Sequence, residues 1–121
     1  MIKQTEAQLK KACTEYLTML RNRGELLFIR NNSGSFQVTR PDGSRGWMNN
    51  GEKGSPDFVV FFKDRTAGLE LKSPTGKQSP EQKDWEQRLT KLNHDYHVIR
   101  SVDDLVRIIS YYRSNSSVIK R

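Results

Sequence analysis

At 121 residues the chain is long enough for one domain with a single modest core and too short for two. Lysine and arginine number 21 against 14 aspartates and glutamates, and the resulting charge of +7 favours a polyanionic partner, nucleic acid first, over the plainer alternative of a soluble basic protein without one. The lone Cys13 rules out an intrachain disulfide, and no apolar run could serve as a signal peptide or span a bilayer, so a reducing, cytoplasmic location without a membrane partner is expected.

A helix is predicted over 5–22, with Thr5 as N-cap, Gln8 at the third helical position, and Leu9, Cys13, Tyr16, Leu17 and Leu20 on one stripe; Gly24 ends it. Glu6 falls on the same stripe, so its carboxylate is expected to point inward from the first turn. A favourable helix-dipole interaction and a functional role both account for it. A short apolar strand follows at 26–30. The segment from there to Ser55 is rich in glycine and asparagine, with one hairpin in which 36–39 returns through Pro41-Asp42-Gly43. Arg30, Arg40, Arg45 and Lys53 lie along it with Phe36 and Trp47, a mixture suited to a nucleic-acid groove, although Trp47 reads more simply as a packing residue than as a stacking platform.

Two strands, 57–62 and 67–72, are joined by the polar turn 63–66. A second helix spans 79–92, where Ser79 caps, Pro80 takes the first helical position and Gln82 completes a capping box. A strand at 96–100 leads to a last helix capped by Ser101, whose buried face is Val102, Leu105, Val106, Ile108 and Ile109; a basic, serine-rich tail runs from 113 to 121. The order implies a mixed α/β domain over 1–112, with helices flanking a small sheet.

The chemistry concentrates between Asp57 and Lys72. If the two central strands close symmetrically about Asp64 and Arg65, Phe62 faces Ala67, Asp57 faces Lys72 and Val59 faces Glu70. Alternation then brings Asp57, Glu70 and Lys72 out on one face, the carboxylates on a diagonal of about 7–8 Å, with Leu69 and Leu71 turned to the core. Two carboxylates are hard oxygen ligands that suit Mg²⁺ or Mn²⁺ with waters retained, and Lys72 would stand beside the reacting phosphate. The competing reading is a surface salt bridge between Asp57 and Lys72. His94 and His97 share no face with each other or with a cysteine and are read as structural or exposed.

The flanking residues narrow the choice. GSPD (residues 54–57), GLELK (68–72) and SPTGKQSPEQKDW (73–85) together resemble the PD-(D/E)XK nuclease superfamily and, within it, the VRR-NUC family, over Thr5 to about Ile109. The anchors are Glu6, Asn31, the Gly54-x-Pro56-Asp57 turn, Glu70 with Lys72, and Gln82. The resemblance implies a restriction-endonuclease-like core and metal binding by Asp57, Glu70 and the Leu71 main-chain carbonyl. It further implies catalysis by Lys72 and supporting roles for Glu6 and Gln82, although a capping box explains Gln82 equally well. The pattern is departed from at His94-Asp95-Tyr96, where relatives often place a glycine before the strand.

The function expected from this is a Mg²⁺- or Mn²⁺-dependent DNA endonuclease selective for branched structure. By resemblance to standalone phage and bacterial members, it would be a homodimer that resolves four-way (Holliday) junctions in a bacterial or phage-infected cell. Arg30, Asn31, Arg40, Arg45, Lys53, Lys63 and Lys77 are the expected nucleic-acid contacts, mostly to phosphate. A flap or restriction-type nuclease and a catalytically silent binding module are the alternatives.

Overall fold

The computed structural model describes residues 4–31, 35–49 and 52–119. Residues 32–34 and 50–51 of the glycine- and asparagine-rich region, and the last two of the expected tail, lie outside them. Helix α1 (Glu6–Asn22) starts with the expected capping box, in which Gln8 N donates to Thr5 Oγ1 and Thr5 N to Gln8 Oε1. Its end is closed by Gly24 N on the Arg21 carbonyl and Glu25 N on the Leu20 carbonyl, which satisfies two carbonyls the last turn leaves open.

Strands β1 (Leu27–Arg30), β4 (Phe58–Phe61), β5 (Thr66–Leu71) and β6 (Asp95–Ile99) form one sheet in the order β1-β4-β5-β6, antiparallel except for the β5–β6 pair. The parallel pair requires a crossover, and α2 (Pro80–Lys91) supplies it. Phe58, Val60, Leu69, Leu71 and Ile99 face α1 and α3 (Val102–Ile119), whose Leu9, Cys13, Leu17, Leu20, Leu105 and Ile109 complete the buried core. Helix α2 covers part of the opposite face, where Leu89 and Pro56 lie so close to Gly68 that a Cβ there would stand 3.2 and 2.7 Å from them. The expected small mixed sheet flanked by helices is therefore present. Strands β2 (Ser35–Thr39) and β3 (Arg45–Asn49) form a separate two-stranded ribbon with the expected turn, Gly43 N donating to the Arg40 carbonyl.

Four expectations need correction. Val106, expected on the buried face of the last helix, is exposed. The β4–β5 register is displaced by two residues: Phe61 faces Thr66 and Val59 faces Gly68. Phe62 N donates to the Arg65 carbonyl, so the turn closes around Lys63-Asp64. A shift of two leaves every side chain on its expected face. Glu6 is exposed rather than turned inward, because the first turn of α1 projects past the core that begins at Leu9. The last helix also runs to Ile119 instead of giving way to an irregular tail at Arg113, which is held by an ion pair with Glu25 at 3.0 Å.

The β5–β6 end nearest the turn is tied by a polar cluster. Arg65 grips Asp95 through Nε and Nη2 at 2.9 and 2.7 Å, and Tyr112 donates to Asp95 Oδ2. His97 Nε2 lies 2.8 Å from the Tyr112 hydroxyl, and Phe62 stacks on the Tyr112 ring with centroids 3.9 Å apart. Tyr112→Phe keeps the stack and the Arg65–Asp95 pair but strands His97 Nε2. It is expected to destabilise the fold by about 1–2 kcal/mol in urea unfolding with an unchanged m-value.

Candidate active site

Asp57 is the residue immediately before β4, and continuing the pairing one step sets it opposite Glu70. Its Oδ2 accepts a hydrogen bond from Leu71 N at 2.7 Å, which ties the end of one strand to the next. The turn that delivers Asp57 is held on two sides. Asn31 Nδ2 donates to Ser55 Oγ and, at 3.1 Å, to the Pro56 carbonyl, while Asn31 N donates to the Asp57 carbonyl at 2.8 Å. Gly54, at φ +88°, lies against the backbone of Glu81, where a Cβ would come within 2.7 Å of carbonyl carbon and oxygen, so both its conformation and its contact exclude a side chain.

Glu70 is 3% exposed, an unusual burial for a carboxylate. Its Oε2 accepts from Gln82 Nε2 at 2.6 Å, and its Oε1 is buried without a partner. The other end of the same amide, Gln82 Oε1, accepts from Ser79 N at 2.8 Å, so the expected capping box is present and the same side chain also reaches Glu70. Burial and the charges of Asp57 and Glu6 push the Glu70 carboxyl up to about 8, while Lys72 pulls it down. A crowded anionic site with an unpartnered buried oxygen is what a cation would relieve. Asp57, Glu70 and the Leu71 carbonyl could hold a hard divalent ion that keeps several waters, with Glu6 near enough to act electrostatically. Among the described residues no three His, Cys, Asp or Glu side chains form a ready cage, so the donor set is a carboxylate pair and not a closed site.

Lys72 follows on the same face as Glu70, its Cδ beneath Gly76 in the loop that leaves β5. Two side chains that sequence reasoning missed hold that loop. Arg100 Nη1 donates to the carbonyls of Ser73 at 2.7 Å and Gly76 at 2.8 Å. Tyr96 stands on the Glu70 face of β6, where Gln78 Nε2 bonds its hydroxyl at 3.2 Å and Glu86 Oε1 at 3.1 Å. Burial and the charges of Glu70, Glu86 and Asp57 push the Tyr96 hydroxyl up to about 12, against the pull of its Gln78 hydrogen bond, so it stays a proton donor. Neither residue carried a local signal, since both act through pairings between β5 and β6 that no motif encodes.

The expected nucleic-acid contacts divide. Lys77 is exposed on the loop beside the site, and Lys53 is exposed on the turn before Asp57, 3.7 Å from Glu81. Arg40 and Arg45 are exposed on the ribbon, where Arg40 Nη1 donates to the Arg45 carbonyl at 3.0 Å. Arg30 is exposed beside Phe58 and by alternation emerges on the face opposite Glu70, Lys63 lies at the far end of the β4–β5 hairpin, and the Asn31 side chain is engaged within the turn.

A family model described as the VRR-NUC domain matches residues 4–103, from the start of α1 through β6 and into α3, and so takes in every residue of the site. No curated protein matches the chain. The resemblance read from GSPD, GLELK and Gln82 is thereby borne out: the chain belongs to the VRR-NUC family of the PD-(D/E)XK nuclease superfamily, DNA-hydrolysing nucleases that generally use divalent metal ions.

Proposed function

We propose that the protein is a Mg²⁺- or Mn²⁺-dependent, structure-selective DNA endonuclease that works as a homodimer on branched DNA, a four-way junction above all. The observation that supports this best is the buried Glu70 carboxylate, set against Asp57 with one oxygen unpartnered. A divalent ion bound there supplies Lewis acidity towards a phosphoryl oxygen. In this reading Asp57, Glu70 and the Leu71 carbonyl hold the ion and Gln82 fixes the rotamer of Glu70. Glu6 acts on the ion's outer waters, and Lys72 presents its ammonium to the charge that develops on phosphorus. The excess of basic residues and the small surface outside the core favour reading shape through phosphates, with Lys53 and Lys77 on the turn and loop beside the site, Arg40 and Arg45 on the ribbon, and Arg30 adding charge from the opposite face of the sheet. Two copies about a two-fold axis would present paired sites to opposed strands. The buried, unpaired Cys13 suits a reducing cytoplasm.

Asp57→Asn, Glu70→Gln and Lys72→Ala are each expected to lower kcat on a labelled four-way junction by at least about 100-fold, and Gln82→Ala by about tenfold, with junction affinity in chelator unchanged. Cleavage that persists in chelator, or in Asp57→Asn, would overturn the metal assignment. Faster cutting of linear duplex than of junction, or a monomer by sedimentation on the junction, would overturn the substrate or the dimer.

The site also predicts a pH dependence. The Glu70 carboxyl titrates higher in the folded chain than its ordinary value of 4.5, so protonation favours the fold. That contribution is fully present below about 4.5 and lost as pH rises through about 8. The metal-free protein should therefore lose stability on the order of a few kcal/mol between pH 5 and 8.5 relative to Glu70→Gln. Mn²⁺ should restore the melting temperature of the unmodified protein at pH 8.5 and leave that of Glu70→Gln unmoved.

A further inference from the structure

The β2–β3 ribbon carries the least expected side chain in the molecule. Trp47, read from sequence as a packing residue, is 69% exposed and takes part in none of the ring stacks among the described residues. Pairing places Gln37 directly across from it and Thr39 across from Arg45, so one face of the ribbon presents an indole flanked by an amide and a guanidinium. Arg40 lies on the other face, its guanidinium filling the space over Gly46 where a Cβ would come within 2.5 Å of it.

The ribbon is inserted between β1 and the turn that carries Asp57. The chain leaves the sheet at Asn31 and returns at Ser55, where Asn31 Nδ2 donates to Ser55 Oγ and to the Pro56 carbonyl and Asn31 N donates to the Asp57 carbonyl. Each strand of the ribbon has five residues and spans about 17 Å.

A flat, exposed indole beside cations fits the face of a nucleobase, and intact duplex offers no such face because every base is stacked on its neighbours and shows only its edges. A base face becomes available where the duplex is interrupted, at a nick, a fork or a branch. We propose that Trp47 stacks on the base pair exposed at such an interruption, with Arg45 on the adjoining phosphate, and that the ribbon thereby selects branched over continuous DNA. The binding so proposed is independent of the nuclease reading.

The experiment compares unmodified protein, Trp47→Ala and Trp47→Phe on an intact duplex, the same duplex carrying a fork, and a four-way junction, with 2-aminopurine beside the branch. In chelator, the unmodified protein should bind the branched DNAs about tenfold more tightly than duplex and quench the 2-aminopurine. Trp47→Ala should lose the preference and the quenching with duplex affinity and melting temperature unchanged, and Trp47→Phe should keep most of both. Equal loss on all three DNAs, no loss on any, or a shift to a smaller species in sedimentation with the DNA preference intact would overturn the proposal, the last marking the ribbon as a contact between copies. Absence of cleavage by the unmodified protein with either metal would overturn the nuclease reading, while the binding comparison would still decide the role of Trp47.

Discussion

A buried carboxylate held beside a half-buried one is costly, and most of the local architecture serves to hold the pair there. Left to itself, Glu70 would turn to water or Asp57 would move away, since neither charge gains from the other. Both routes are closed by covalent and hydrogen-bonded geometry. Asp57 is pinned through its own Oδ2 by Leu71 N, and Glu70 sits mid-strand between β4 and β6 with Gln82 on its oxygen. Asn31 and the Gly54 contact with Glu81 fix the turn from opposite sides. The destabilisation is thus concentrated at one point, where a bound cation would turn it to advantage.

The sheet has two ends with different work. At the far end, Arg65, Asp95, Tyr112 and His97 satisfy one another and clamp the β4–β5 turn to β6 and α3. At the near end Glu70 is left one partner short. A rigid, saturated end lets the unsaturated one keep its geometry without being the place where the domain opens first.

What was legible in the sequence followed from local rules. Both capping boxes, the ribbon turn and the faces of Asp57, Glu70 and Lys72 depend on residues a few positions apart or on strand parity. Parity survived a register error of two because side chains repeat every second residue. Several illegible parts involved partners distant in sequence. Arg100 reaches back to Ser73 and Gly76, Tyr96 meets Gln78 only once β6 lies beside β5, and Asn31 finds its role only when Ser55 returns to it. Trp47 shows the converse: residue type argued for burial, and only the absence of a packing surface beside the ribbon shows it exposed. The last helix runs past its expected end at Arg113, whose guanidinium pairs with Glu25 after α1.

One consequence of the Gln82 amide concerns what evolution can do at that position. Statistics for helix starts treat glutamate and glutamine at the third position as interchangeable, since either side chain accepts from the cap's N–H. Here only one of them is permitted. The oxygen serves Ser79 and the nitrogen serves Glu70, so glutamate would keep the cap, remove the donor and bring another negative charge to a place that already has too many. A substitution that a helix-forming table scores as silent would thus be felt at the carboxylates, and the requirement for glutamine comes from outside the helix.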